Sequence, residues 1–147
     1  MEIQNAWLGV VSAEHARRAV EGGFIQLNHG KRQGVARLRE GDGFAIYSPT
    51  DRLGEKTPLR AFTAIGVVAD AEAYLAEPMS MGARGTIRPW RRRVEFNVVQ
   101  PVALADVTAD LHLTQQPHWG YQLRRGLVAL PVEDFQVLRD AMSQRCR

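Results

Sequence analysis

Cysteine is almost absent: the 147 residues hold one, Cys146, next to the last position. A lone thiol forms no internal disulfide and anchors no metal cluster, so a reducing cytoplasm is the expected setting. Lysine is nearly as scarce, with only Lys31 and Lys56 among 19 basic residues. Long apolar runs are missing too. No stretch approaches the roughly 20 residues that a membrane-spanning helix needs, and no charged-then-apolar signal segment opens the sequence, so no membrane partner is expected. Catalytic signatures are lacking as well. His15, His29, His112 and His118 show no metal-ligand spacing. There is no nucleophile elbow, phosphate loop or paired-carboxylate motif. These gaps favour a non-catalytic protein that holds neither metal nor cofactor.

What is present fits one globular domain spanning 1–147. Hydrophobic residues at 45% against 24% charged are enough for a core and argue against disorder. The formal charge of +3 permits nucleic-acid binding without requiring it. Guanidinium groups suit bidentate phosphate contacts and stacking on bases, although a GC-rich genome produces the same arginine bias. Clustering is more informative: Arg84, Arg88, Arg91, Arg92 and Arg93 crowd one region, and Arg124 and Arg125 form a second focus.

The pattern turns on Gly41-Asp42-Gly43, which launches an apolar strand from Phe44 to Tyr47 that stops at Ser48-Pro49. Glycines on both sides of Asp42 predict positive φ or a close backbone approach. Earlier, Ala6 to Ser12 reads as a buried strand. Ser12 is a helix cap, and a helix from Ala13 to about Val20 turns Ala16, Ala19 and Val20 inward before Gly22-Gly23 stops it. Phe24 to Asn28 is a second strand, with Phe24, Gln26 and Asn28 on one face, and a helical turn is expected over Val35 to Leu38. Leu59 to Val68 is a long strand in which Gly66 hints at a bulge or barrel bend. Pro78 to Pro89 lacks periodicity and reads as a loop. Trp90 to Val99 is a strand that places Trp90, Arg92, Val94 and Phe96 on one face and Arg91, Arg93 and Glu95 on the other. Leu127 to Leu130 is a last strand, and Pro131 opens a helix with Phe135, Leu138 and Met142 on one side. The expected fold is therefore α+β: a small mixed β-barrel of five to six strands with peripheral helices.

The series Trp7 to His15, Asn28-His29-Gly30-Lys31, Gly41-Asp42, Tyr47-Ser48-Pro49, Phe62 to Gly66, Trp90-Arg91-Arg92, Trp119-Gly120-Tyr121 and Asp134-Phe135 resembles the stand-alone bacterial EVE-domain proteins. The resemblance covers essentially the whole chain. It implies a PUA-like barrel, akin to the YTH domain that reads methylated adenine. It also implies binding of DNA or RNA, with a methylated or hydroxymethylated base as the expected target. Trp7, Ser12, Glu14, Asn28 and Ser48 stand where the thymocyte nuclear protein branch of EVE has comparable elements. His29-Gly30-Lys31 departs from that branch.

A base reader needs a narrow pocket in which an unstacked base lies between apolar faces with its edge hydrogen-bonded. The candidate pocket residues are Trp90, Asn28, Tyr47, Ser48, Ser12 and Trp7. Each has a plain alternative: Trp7 as packing, Ser12 as the helix cap, Asn28 as a loop cap, and Ser48 as a turn hydroxyl bonded to backbone. The candidate phosphate contacts are His29, Lys31, Arg91, Arg93 and Arg124, against the alternative of solvated basic loops and a wet strand face. Arg92, facing with Trp90, is expected to stack or to pair with an acid. Two other functions stay open: an enzyme acting on nucleotides or nucleic acid through His29 or Asp42, and a small-molecule or protein-binding module.

Overall fold

Ser12 begins the local architecture. Its backbone is extended and its Oγ accepts the His15 backbone N–H at 3.2 Å, which satisfies one of the donors that every helix start leaves free. The helix so started is α1 (Ala13–Gly22), and Gly23 at φ 70° ends it in the left-handed conformation. Ala16 and Ala19 are buried, whereas Val20 is 43% exposed. The inward stripe of α1 is thus narrower than expected, and its small residues let the helix sit close on the sheet.

The computed structural model describes residues 2–27, 30–52, 54, 56–80 and 82–144, with 84 and 144 in backbone only. The strands are β1 (Ala6–Val10), β2 (Phe24–Ile25), β3 (Gly43–Ser48), β4 (Ala61–Val68), β5 (Tyr74–Leu75), β6 (Met79–Ser80), β7 (Thr86–Ile87), β8 (Trp90–Phe96), β9 (Val102–Ala103) and β10 (Leu127–Leu130). The remaining helices are α2 (Arg32–Val35), α3 (Leu104–Val107), α4 (Trp119–Gln122) and α5 (Val132–Gln144). The main sheet runs β10-β1-β3-β4-β8-β2, with β5 on β8 and β9 on β4. Only β1 and β3 pair in parallel; the other pairs are antiparallel. No helix among the described residues is long and apolar enough to cross a membrane.

Every residue of β3 is buried, because both faces of the sheet are covered. On one face Leu8, Ala45, Tyr47, Ile65 and Val128 pack with Phe135, Leu138 and Met142 of α5. On the other, Phe44, Ile46 and Val68 pack with Ala16 and Ala19 of α1. This second cluster also contains Ile25 and Val94 from one end of the strand order and Leu127 from the other. The sheet therefore curls around it. The segment after β2 spans the gap: α2 packs on β8 and shares a cleft with residues 127–129.

Curvature comes from a bulge at an unexpected place. The β3–β4 register shifts between Ile46 and Tyr47, which pair with Ala64 and Phe62 and leave Thr63 as the extra residue. Phe62 and Ile65 consequently fall on the same face despite their odd spacing. Gly66 serves a different need from the bulge expected there, because a Cβ on it would lie 2.2 Å from the Glu95 carbonyl oxygen. It lets β8 approach β4. The expected loop from Pro78 to Pro89 holds the β6–β7 hairpin, with Met79 opposite Ile87 and Ser80 opposite Thr86. Two-residue strands leave too short an alternation to read.

At the turn into β3, both glycine requirements are present. Gly41 has φ 91°, and a Cβ on Gly43 would lie 2.8 Å from the Phe135 ring. Asp42 is buried between them and accepts from Trp7 Nε1 and from the Arg39 backbone N–H, both at 2.9 Å.

In β8, Arg92 faces inward and is 1% exposed. Its Nε donates to Asp70 Oδ1 at 2.6 Å and its Nη2 to the Asp70 carbonyl at 2.8 Å, while Nη1 donates to the carbonyls of Val35 and Leu38. Asp70→Ala is expected to cost about 3–5 kcal/mol, because it leaves a buried guanidinium without its counterion. Arg18→Ala, which breaks the exposed pair with Glu14, should cost under about 1 kcal/mol. Urea denaturation of the two variants checks this, and equal losses would refute the account.

Candidate functional site

Because Arg92 points inward, strand alternation turns its neighbours Arg91 and Arg93 to the opposite face. The register brings Phe24 opposite Arg93 and Tyr74 opposite Arg91, on either side of β8. Two guanidinium–ring contacts result. Arg91 Cζ lies 3.8 Å from the Phe24 ring centroid, and Arg93 Cζ lies 5.0 Å from that of Tyr74. Gln26 continues the line beyond Phe24. Its Oε1 accepts from Arg91 Nε at 2.9 Å, and its Nε2 donates to Met79 Sδ at 3.6 Å. The side chain of Gln26 is thereby held at both ends and is largely buried.

The basic groups of this face outnumber the acid, Glu95, that shares it. Neither Arg91 nor Arg93 takes part in an ion pair among the described residues, unlike Arg17, Arg18, Arg52 and Arg92. His15 registers the field: burial, then the charges of Arg18 and Arg91, push its pKa below the ordinary 6.5. The face thus presents guanidinium–aromatic plates with a polarisable thioether and a largely buried, fixed carboxamide behind them, and positive charge in excess of Glu95. Planar, electron-rich and anionic groups suit it.

The expected site residues do not all gather here. Arg91 and Arg93 do. Trp90 faces the other way, half-buried against the inner cluster, with Arg32 Cζ 5.5 Å from its ring centroid. The loop before α2 is seated beside it, since a Cβ on Gly30 would lie 2.8 Å from Pro89 Cβ, and Gly30 has φ 83°. Lys31, next in that loop, is exposed. Asn28 and His29 lie outside the described residues. Tyr47 and Ser48 are not brought to Trp90: Tyr47 is buried in the α5-covered cluster, 5.3 Å from Phe62 between ring centroids, and the Ser48 and Thr63 hydroxyls bond at 2.8 Å. The bulge at Thr63 keeps both side chains inside. Ser12 caps α1. Trp7 carries Arg37 at 4.8 Å over its ring and donates to Asp42. Arg124 lies 5.2 Å over Tyr121, in the turn leading to β10.

Phe24, Gln26, Tyr74, Met79 and His15 were missed as a group. The Phe24/Gln26 alternation was visible, but their partners come from strands that only the β2–β8–β5 pairing assembles.

His15 yields a test. A histidine whose folded pKa is lowered contributes stability that is full above its unfolded value of 6.5 and is lost as pH falls through the lower folded value. His15→Gln is therefore expected to soften the loss of stability below pH 6.5 relative to the unsubstituted chain. Urea midpoints measured at neutral pH and at about pH 5 read this difference. Parallel declines in the two proteins would dismiss the assignment.

Comparison with known proteins matches the sequence to a family. The pattern of the EVE domain matches residues 5–141. A UPF0310 protein of Renibacterium salmoninarum is 43% identical over 141 residues, covering 96% of this chain and 97% of that protein. The UPF0310 protein YdcG of Bacillus subtilis is 34% identical, with 94% and 92% covered. Among solved structures, a hypothetical protein from Leishmania major superposes with a TM-score of 0.61 at 11% identity, covering 99% and 98%. PSPTO5229 of Pseudomonas syringae gives 0.55 at 16% identity, with 93% and 99% covered. These two share the fold. By its sequence from residue 5 to residue 141, the chain belongs to the EVE domain family.

Proposed function

We propose that this protein is a non-catalytic nucleic-acid-binding domain of PUA-like barrel build, which reads a modified base held out of its stack. The observation that carries the reading is the plated face in which Arg91 covers Phe24, Arg93 covers Tyr74 and Gln26 is fixed between Arg91 and Met79. A base stacked on such a surface gains roughly 1–3 kcal/mol. Beyond its bonds to Arg91 and Met79 the Gln26 carboxamide keeps one N–H and one lone pair, which a base edge meets once it displaces the cover over this largely buried side chain. A methyl group buried against the Met79 thioether adds about 0.8 kcal/mol, a small increment that a tight wall turns into preference. Lys31, exposed in the loop before α2, and Arg93 meet backbone phosphate.

The test is a binding screen of methylated, hydroxymethylated and unmodified oligonucleotides at fixed salt. One modified form is expected to bind best, and Gln26→Ala should remove that preference. Arg93→Ala should keep the preference while flattening the plot of log affinity against log salt by about one on duplex DNA. If Gln26→Ala keeps the full preference, the base is read elsewhere.

A further inference from the structure

A second basic feature lies apart from that face. A cleft of about 480 Å³ opens between α2 and β10, lined by Gln33, Arg37, Gln122 and Arg125 beside residues 127–129. Among the described residues no acidic side chain lines it. Neither arginine takes part in an ion pair among the described residues, whereas Glu14 and Asp51 neutralise Arg17, Arg18 and Arg52 on the α1 side. Arg37 is not free to wander: it rests 4.8 Å over the Trp7 ring, and Trp7 is itself fixed by its bond to Asp42. Two guanidinium groups and two carboxamides form a donor-rich lining. Cations are repelled there, and Leu127, Val128 and Ala129 supply an apolar floor. An anion with several acceptor oxygens fits.

The position of the cleft indicates which anion. Its α2 wall is the helix whose first residue, Arg32, lies over Trp90, and the loop before α2 abuts Pro89. The four residues of α2 rise about 6 Å, and Arg37 follows two residues after the helix ends. α2 lies on the Trp90 side of β8, opposite Arg91 and Arg93, so a strand that meets both contacts passes around the loop before α2 and then along Arg32 and Arg37. We propose that the cleft between α2 and β10 is a second nucleic-acid contact, in which Arg37 and Arg125 take backbone phosphates of the strand whose base is read at Arg91 and Gln26. This rests on the nucleic-acid reading given above. Phosphate contacts fix register and carry no sequence information, so the cleft should set affinity and salt dependence and leave base preference alone.

The experiment is a salt titration of oligonucleotide binding, using the modified and unmodified duplexes of the screen, with melting curves to confirm folding. Arg37→Ala/Arg125→Ala is expected to flatten the log–log salt slope by about two, and Arg125→Ala alone by about one. The ratio of affinities for modified and unmodified duplex should stay unchanged in both. Arg37→Lys/Arg125→Lys should keep the original slope, because the charge remains. Arg125→Ala also guards against loss of folding, since Arg37 covers Trp7 and Arg125 does not. If the original protein binds and the folded double variant shows the same slope, the cleft is not a contact and only this inference falls. If the original protein binds no oligonucleotide, the base-reading proposal falls and takes this one with it.

Discussion

The buried guanidinium of Arg92 is the constraint on which the rest of the molecule depends. It sits in β8 at 1% exposure, and its donors reach Asp70, Val35 and Leu38. Asp70 in turn accepts from the Arg93 backbone N–H at 2.9 Å. Removing such an ion from water costs several kcal/mol, and only a full set of partners makes the burial tolerable. That condition is met: no buried side-chain polar atom among the described residues lacks a partner. The benefit is positional. One side chain ties the end of β4, the segment after α2 and the middle of β8 together. By pointing inward it obliges Arg91 and Arg93 to point outward.

A second anchor acts farther along the strand order, where β1 meets β3. Asp42 receives the Trp7 indole and the Arg39 backbone N–H at the entry to β3. Gly41 supplies the left-handed turn, and Gly43 makes room for Phe135. Between these anchors the sheet curls, bent by the extra residue Thr63 and closed down at Gly66. Arg92 holds α2 through carbonyls at its end, while Asp42 holds Trp7, which carries Arg37. The positions of Arg32 and Arg37 therefore follow from core contacts, although both side chains are exposed.

Much of this was legible in the sequence. The capped helix from Ala13 with its stop at Gly23, the central strand after Asp42, the two faces of β8 and the Phe135/Leu138/Met142 stripe follow from local periodicity and capping chemistry, which short-range physics controls. Thr63 was not legible, because a bulge is a property of a pair of strands and neither strand shows it alone. The β6–β7 hairpin was hidden by its shortness. The site was half legible for the same reason. Arg91 and Arg93 were visible as a charged face, but Tyr74 and Met79 reach it through pairings separated by many residues. Tyr47 and Ser48 look like mouth residues beside Pro49, yet a β3 covered on both faces draws them inside.

The scarcity of lysine gains a physical meaning once the rings are located. A GC-rich genome would account for the number of arginines but not for where their side chains rest. Arg32, Arg37, Arg91, Arg93, Arg124 and Arg139 each lie over an aromatic ring, at 3.8 to 5.5 Å. A guanidinium plane covers a ring face and keeps N–H groups directed outward at its edge, where phosphate or base acceptors can meet them. An ammonium is a compact, strongly hydrated point charge and does the first poorly. Plating also restrains a long side chain before any ligand arrives, which lowers the entropy lost on binding. The arginines thus act as rigid parts of the surface, with the rings as their supports. Replacing them by lysine would preserve the net charge of +3 while losing the plated geometry of Arg91 and Arg93 on which base stacking rests.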